Sequence, residues 1–265
     1  MKAFSALLLP SLNSLNFLLL AALLVQFSTI GGQALFMEYY DIPFTWRPLY
    51  LQDVSTNMEC WGFTKLYFVY AGIPILFFIA GLYLSFFLST NIALNWRARL
   101  FLTWVSFFMV NAMLAGIIVS LFIFDGIGVA LIWIFPGFLV RLILGIFAAT
   151  ILLFTRPYWE NLFFKSIYSK SFLRDSKSKQ QFLKNNFKLP LFLMIPSLIL
   201  FAYLSSKWYW PLSVIITIII AYGFNNLQQI PSRIRILKEN KRTFSLTQQL
   251  LTHFIILILW FLSAF

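Results

Sequence analysis

Ile127–Phe154 reads IGVALIWIFPGFLVRLILGIFAATILLF, and its 28 residues carry a single charge, Arg141. About 20 apolar residues in a helix cross the hydrocarbon core of a bilayer. The stretch is long enough to do so with residues to spare. Just ahead of it lies Leu100–Phe124, equally apolar, and only Asp125-Gly126 separates the two. That dipeptide is a tight-turn signal, so the two runs are expected to be antiparallel neighbours.

The same pattern extends in both directions. Apolar runs occupy Asn13–Phe36, Leu66–Leu88, Leu189–Leu204, Pro211–Ile230 and Leu246–Phe265. Pro211 suits a first helical turn, where its missing N–H has no partner to lose. Ser245-Leu246-Thr247-Gln248 fits a capping box at the start of the last run. The expected fold is therefore all-α: a polytopic transmembrane helix bundle of about seven spans in a single membrane-embedded domain. The first run lacks a convincing cleavage site and is expected to be retained as a span.

Composition agrees. The chain of 265 residues is 61% hydrophobic and 11% charged, against roughly 25% charged in soluble domains. Its formal net charge is +12. In a soluble protein that excess would suggest nucleic acid. In a membrane protein it is expected from basic cytoplasmic loops, and no nucleic-acid partner is inferred. With the N-terminus cytoplasmic, Lys2, Arg97, Arg99, the eight cations of loop 155–188 and the five of 231–245 all fall inside, sixteen of the 20 Lys and Arg. Outside lie Arg47, Lys65 and Lys207, together with Glu38, Asp41, Asp53, Glu59 and Asp125. Adding or removing one span scrambles this segregation. It places the C-terminus outside and favours a bacterial cytoplasmic membrane. Trp96, Trp104, Tyr158, Trp159 and Lys207-Trp208-Tyr209-Trp210 read as interfacial belts.

Few residues in the spans can carry chemistry. Arg141 lies near the middle of its run, about 20 Å from either end at 1.5 Å per residue. A charge there costs at least about 2.5 kcal/mol, so it is expected to face the bundle interior or a wet cavity. Pro136-Gly137 offers a break that would place Arg141 near the start of a shorter helix. Asn111 and Gln26 fall at comparable depth, and with Arg141 they form the candidate ligand or pore set, Asn111 bonding Arg141. The competing reading is hydrogen-bonded glue between helices. Ser28-Thr29-Ile30-Gly31-Gly32 reads as close helix packing, with unwinding as the alternative.

Loop 155–188 carries Lys165, Lys170, Arg174, Lys177 and Lys179, candidates for contact with anionic lipids of the inner leaflet or with a partner protein. Trp159, Leu162, Phe163 and Ile167 recur at helical spacing and suggest an amphipathic helix on that leaflet. Outer loop 37–65 is aromatic and acidic, and Pro43 and Pro48 argue against a long helix. It is expected to fold back as a cap or docking surface. Asn225, Asn226, Gln228 and Gln229 read as interfacial solvation.

Absences narrow the function. Cys60 and His253 are single, which excludes an intramolecular disulfide and bis-histidine haem and leaves no structural zinc set. There is no HExxH, Walker A or dinucleotide fingerprint, and no acid lies within a span. No catalytic residue and no cofactor is assigned. The expected role is a non-catalytic membrane subunit or scaffold of a larger assembly. The first alternative is a transporter or channel for a small anion or lipid using Arg141. The second is a lipid-acting enzyme drawing on the outer-loop acids.

Overall fold

A computed structural model of the chain describes residues 2–47, 50–53, 61–90, 94–166, 176–205, 209–222, 251–256 and 258. The elements run in the order α1 (Lys2–Tyr39), β1 (Phe44–Arg47), β2 (Tyr50–Asp53), α2 (Phe63–Thr90), α3 (Trp96–Val119), α4 (Ile127–Ile134), α5 (Phe138–Phe164), α6 (Ser176–Leu183), α7 (Leu189–Ser205) and α8 (Tyr209–Tyr222). Residues 251–256 are also helical. Two wide π-helical turns interrupt the regular pitch, Tyr67–Gly72 inside α2 and Lys184–Lys188 between α6 and α7.

Four helices among the described residues are long and apolar enough to cross a membrane: Ser11–Tyr39 of α1, then α2, α3 and α5. They differ in how they meet their neighbours. α3 is buried around its whole circumference, with Leu100, Thr103, Trp104, Val105, Ser106, Phe107, Phe108, Val110 and Asn111 all inside. A helix apolar on every side is one that other helices surround, and α1, α2, α5 and α8 all pack on α3. The helices α2 and α5 bury only a stripe. On α5 the stripe runs Arg141, Gly145, Ala148, Leu152, Arg156, Trp159, Leu162 and Phe163, at helical spacing. The opposite side of α5 exposes Leu139, Ile143, Ile146, Phe147 and Phe154. Around Gly145 and Ala148 small residues face inward and large apolar ones outward, the arrangement expected where lipid is the solvent.

Small residues set the closest approaches. A Cβ on Gly81 would lie 2.8 Å from Met109 Cβ and 2.9 Å from Val110 Cγ2, so this position brings α2 against α3. Ser106 Oγ donates to the Gly81 carbonyl at 2.7 Å across the same contact. Of the two adjacent glycines in α1, Gly32 packs against Ile73 while Gly31 meets nothing within 4 Å. The helix continues through both to Tyr39, so Gly32 packs and neither glycine unwinds the helix.

Loop 37–65 departs from an all-helical reading. β1 and β2 pair antiparallel from Phe44↔Asp53 to Arg47↔Tyr50. Proline at 43 cannot extend α1, and the aromatic and β-branched residues that follow favour extended backbone. α1 ends in a Schellman motif. The Ile42 N–H donates to Met37 O at 2.9 Å and the Asp41 N–H to Glu38 O at 3.1 Å, with Asp41 at φ 55°. Ile42 and Met37 are buried together and complete the hydrophobic contact that accompanies this motif. Phe44 and Trp61 pack on the same cluster, so the loop covers the end of α1.

The run expected to span 127–154 is two helices. α4 stops at Ile134, residues 135–137 are non-helical, and α5 starts at Phe138. Proline removes a donor and disfavours helical backbone in the residue before it, which accounts for the break. At its other end α5 runs on through Pro157 to Phe164, so the first third of the expected loop 155–188 is helix. Trp159, Leu162 and Phe163 lie in the core of the bundle and not along a leaflet. Trp104 is 0% exposed and forms ring contacts with Phe107, Phe163 and Phe187. The belt reading of Trp104 and Trp159 is thereby corrected: both are core residues. Cys60, Asn225, Asn226, Gln228, Gln229 and most of Leu246–Phe265 lie outside the described residues.

Asp125-Gly126 forms the expected turn, and its glycine is required twice over. Gly126 has φ +53°, and an added Cβ would sit 2.3 Å from the Tyr209 ring. The Tyr209 hydroxyl accepts from the Ile127 N–H at 3.2 Å, so α8 is keyed into the start of α4. Gly126→Ala is expected to cost at least about 2 kcal/mol from the left-handed backbone and the overpacking together. Tyr209→Phe is expected to cost about 1 kcal/mol through one lost hydrogen bond. Thermal unfolding in mild detergent, followed by tryptophan fluorescence, measures both.

Candidate functional site

The buried stripe of α5 brings two arginines into the bundle at opposite ends. Arg141 falls in the first turn of α5, where the break at residues 135–137 places it. It is 9% exposed. Its guanidinium carbon lies 5.9 Å from the Phe124 ring and 6.0 Å from the Phe138 ring, within cation–π range. Its Nε and Nη1 are buried without a hydrogen-bond partner. The positive end of the α5 macrodipole opposes a cation there, and the two ring faces offset it.

The expected cluster of Gln26, Asn111 and Arg141 does not assemble. Asn111 is 2% exposed, and its amide nitrogen donates to Phe107 O on its own helix at 2.7 Å. Gln26 is half-buried on α1. Arg141 bonds neither, because the shortened α5 sets it near the end of the bundle that holds Phe124 and Asp125.

Asn111 instead faces a second arginine. A cavity of about 10 Å³ has an apolar side of Phe107, Leu152 and Phe187 and a polar side of Asn111, Arg156, Trp159 and Thr217. That volume is close to the threshold for one water molecule. Arg156, 8% exposed, pairs through Nε with Glu160 Oε1 at 3.1 Å, one turn along α5. Its Nη2 has no partner, nor has the indole nitrogen of Trp159, a residue only 2% exposed. Thr217 Oγ1 donates to Ser213 O at 2.9 Å, leaving its lone pairs as acceptors. Lys188 belongs to the same electrostatic neighbourhood. Burial, and then the like charge of Arg156, hold its ammonium below the ordinary lysine range, with Glu160 opposing them.

Around this cavity the helices are tied by polar contacts. Trp104 Nε1 donates to Ser14 Oγ at 3.1 Å, and Ser14 Oγ donates to Asn186 O at 2.5 Å, linking α3, α1 and the turn Lys184–Lys188. Tyr158 donates to Ser85 Oγ at 2.9 Å, joining α5 to α2. His253 Nδ1 lies 2.8 Å from Asn16 Oδ1, so the tautomer with its proton on Nδ1 donates to the amide oxygen.

The basic candidates of loop 155–188 divide. Lys165 Nζ donates to Ser89 O at 2.5 Å, next to the end of α2, where a cation suits the helix dipole. The Lys165 carbonyl accepts from Arg99 Nη1 at 3.2 Å. Burial, and then Arg99, hold the Lys165 ammonium below the ordinary lysine range. Lys165 therefore clasps three helix ends together. Lys177 and Lys179 fall on α6, while Lys170 and Arg174 lie outside the described residues. Among the described residues no group of three His, Cys, Asp or Glu is placed to hold a metal ion.

Sequence reasoning missed Arg156, Trp159, Thr217 and Lys188. A signal was present. Arg156 continues the spacing of Arg141, Gly145, Ala148 and Leu152, and Glu160 follows it at i+4. Thr155-Arg156-Pro157 reads as the start of a loop, and that outweighed the periodicity. No family model matches the chain, and no curated protein or solved structure matches it.

Removing one member of a buried ion pair strands the other. Glu160→Leu is expected to destabilise the protein by about 3 kcal/mol. Arg156→Met in the same chain should recover most of that loss. Thermal unfolding of the two variants beside the wild type checks this, and equal losses in both would contradict a buried Arg156–Glu160 pair.

Proposed function

We propose that the chain is a seven-span integral membrane protein of a bacterial cytoplasmic membrane, serving as a non-catalytic subunit or scaffold of a larger assembly. One observation carries the role: its buried hydroxyls and amides are bonded to protein carbonyls, chiefly those of their own helix. Thr103, Ser106, Asn111, Ser120, Ser166, Asn186, Ser213 and Thr217 all donate to backbone carbonyls. Ser14 and Trp104 do the same work between helices. A catalyst would hold some of these groups in reserve for a substrate.

The contacts support the seven-span topology. Ser14, Ser89, Arg99, Lys165 and Asn186 meet at one end of the bundle. Phe124, Asp125, Arg141 and Tyr209 gather at the other. α7 and α8 run between these ends, and His253 returns the chain to Asn16. In this reading the basic end is cytoplasmic, and α6, with Lys177 and Lys179, offers cations to anionic lipids or to a partner protein. Outer loop 37–65 is the second partner surface. A carrier for a small anion or lipid is the second reading, favoured by the unpartnered nitrogens of Arg141.

With Cys60 replaced by serine, single cysteines at Glu38 and Lys179 test the topology. An impermeant maleimide should label Glu38→Cys in intact cells and Lys179→Cys only after permeabilisation. Labelling of both from outside would overturn it. For the role, the protein extracted from its own membrane in mild detergent should have the mass of a complex with at least one other kind of chain at fixed ratio. A lone monomer that yields no crosslinks in the native membrane would overturn that.

A further inference from the structure

The cavity between α3, α5 and α8 holds more donors than the fold uses. Arg156 Nη2 and Trp159 Nε1 are buried and unpartnered, on residues that line the same small space. The Asn111 amide nitrogen gives one proton to Phe107 O and keeps a second. A buried donor without an acceptor is costly, and two on adjoining turns of one helix call for a common acceptor. Charge selects the kind of acceptor. Arg156 and Lys188 stand against the single carboxylate of Glu160, and that carboxylate is already paired with Arg156 Nε. Size narrows it further. The space of about 10 Å³ matches a single small occupant, about the size of one water molecule. Phe107, Leu152 and Phe187 close the other side, which suits a weakly hydrated ion.

We propose that this cavity binds a single halide ion, held by the guanidinium of Arg156, the indole N–H of Trp159 and the amide of Asn111. The site does not depend on the assembly role, and it lies at the opposite end of α5 from Arg141. An ion there joins α3 to α5 and is a fixed counter-charge for Arg156.

Purified protein in mild detergent, exchanged into gluconate, is titrated with bromide at constant ionic strength while its thermal unfolding midpoint is read. A saturable rise is expected. In Trp159→Phe, which keeps the ring and loses one donor, half-saturation should need at least about tenfold more bromide. Absence of a saturable rise, or equal half-saturation in the variant, would overturn the proposal. So would a saturable rise with inorganic phosphate or short-chain phosphatidylglycerol but none with bromide, which would assign the site to a phosphate. Should Trp159→Phe fail to fold, anomalous scattering from bromide-grown crystals of the wild type decides: a peak between Arg156 and Trp159 is expected, and an empty map there refutes the site.

Discussion

A hydroxyl or amide inside a bilayer has no water to turn to, so its partner must be protein. This constraint organises the bundle. α3 can be enclosed on all sides because its buried polar residues bond backward along the helix or sideways to a neighbour's carbonyl. Thr103 takes the first course and Ser106 the second. The second kind of bond needs backbones close together, and Gly81 provides that approach on α2. Small residues and polar residues thus act as one device. The hydrophobic effect, which distinguishes inside from outside in water, does little between helices in lipid. Packing and internal hydrogen bonds select which faces meet.

The two arginines of α5 show what the constraint does with charge. Arg156 is accommodated by a carboxylate one turn away, while Lys188 nearby leaves two cations against one anion. Among the described residues Arg141 forms no ion pair, and it rests between the faces of Phe124 and Phe138. A ring face attracts a cation without accepting its hydrogens in the usual directions, so the charge is eased while the N–H groups stay unmatched. The break at residues 135–137 makes this tolerable. Without it, Arg141 would lie mid-helix, far from any polar region.

The coarse design was legible in the sequence because length and apolarity are one-dimensional properties. Runs such as Trp96–Val119 and Phe138–Phe164 announce themselves without knowledge of any contact. Pro136-Gly137 likewise marked the break, since proline acts on its own local backbone. What was not legible depends on azimuth, the direction in which each residue faces. Trp104 and Trp159 have interfacial chemistry and interfacial positions along the chain, yet both turn inward. Asn111 was singled out as polar and buried, but its neighbour across the helix pair followed from the length of α5. Extending α5 through Pro157 to Phe164 moved Arg156 from an expected loop into the core.

The wide turn at Tyr67–Gly72 has a consequence of its own. Each residue of an α-helix advances the side-chain direction by about 100°, and a π turn accommodates one residue more than that pitch allows. Before the turn ends, Val69 already faces the cluster of Met37 and Ile42, while Ala71 joins that of Ile127 and Ala130. Beyond it, Gly81, Ser85 and Leu88 form the inward stripe. The extra residue acts as a phase adjuster, letting one continuous helix serve two sets of neighbours. Loss of a single residue from this segment would let the turn relax to regular α pitch while both halves of α2 keep their facing. A one-residue gap is thus absorbed where the helix is least regular, and is costly in its regular stretches, where it would swing one half by about 100°.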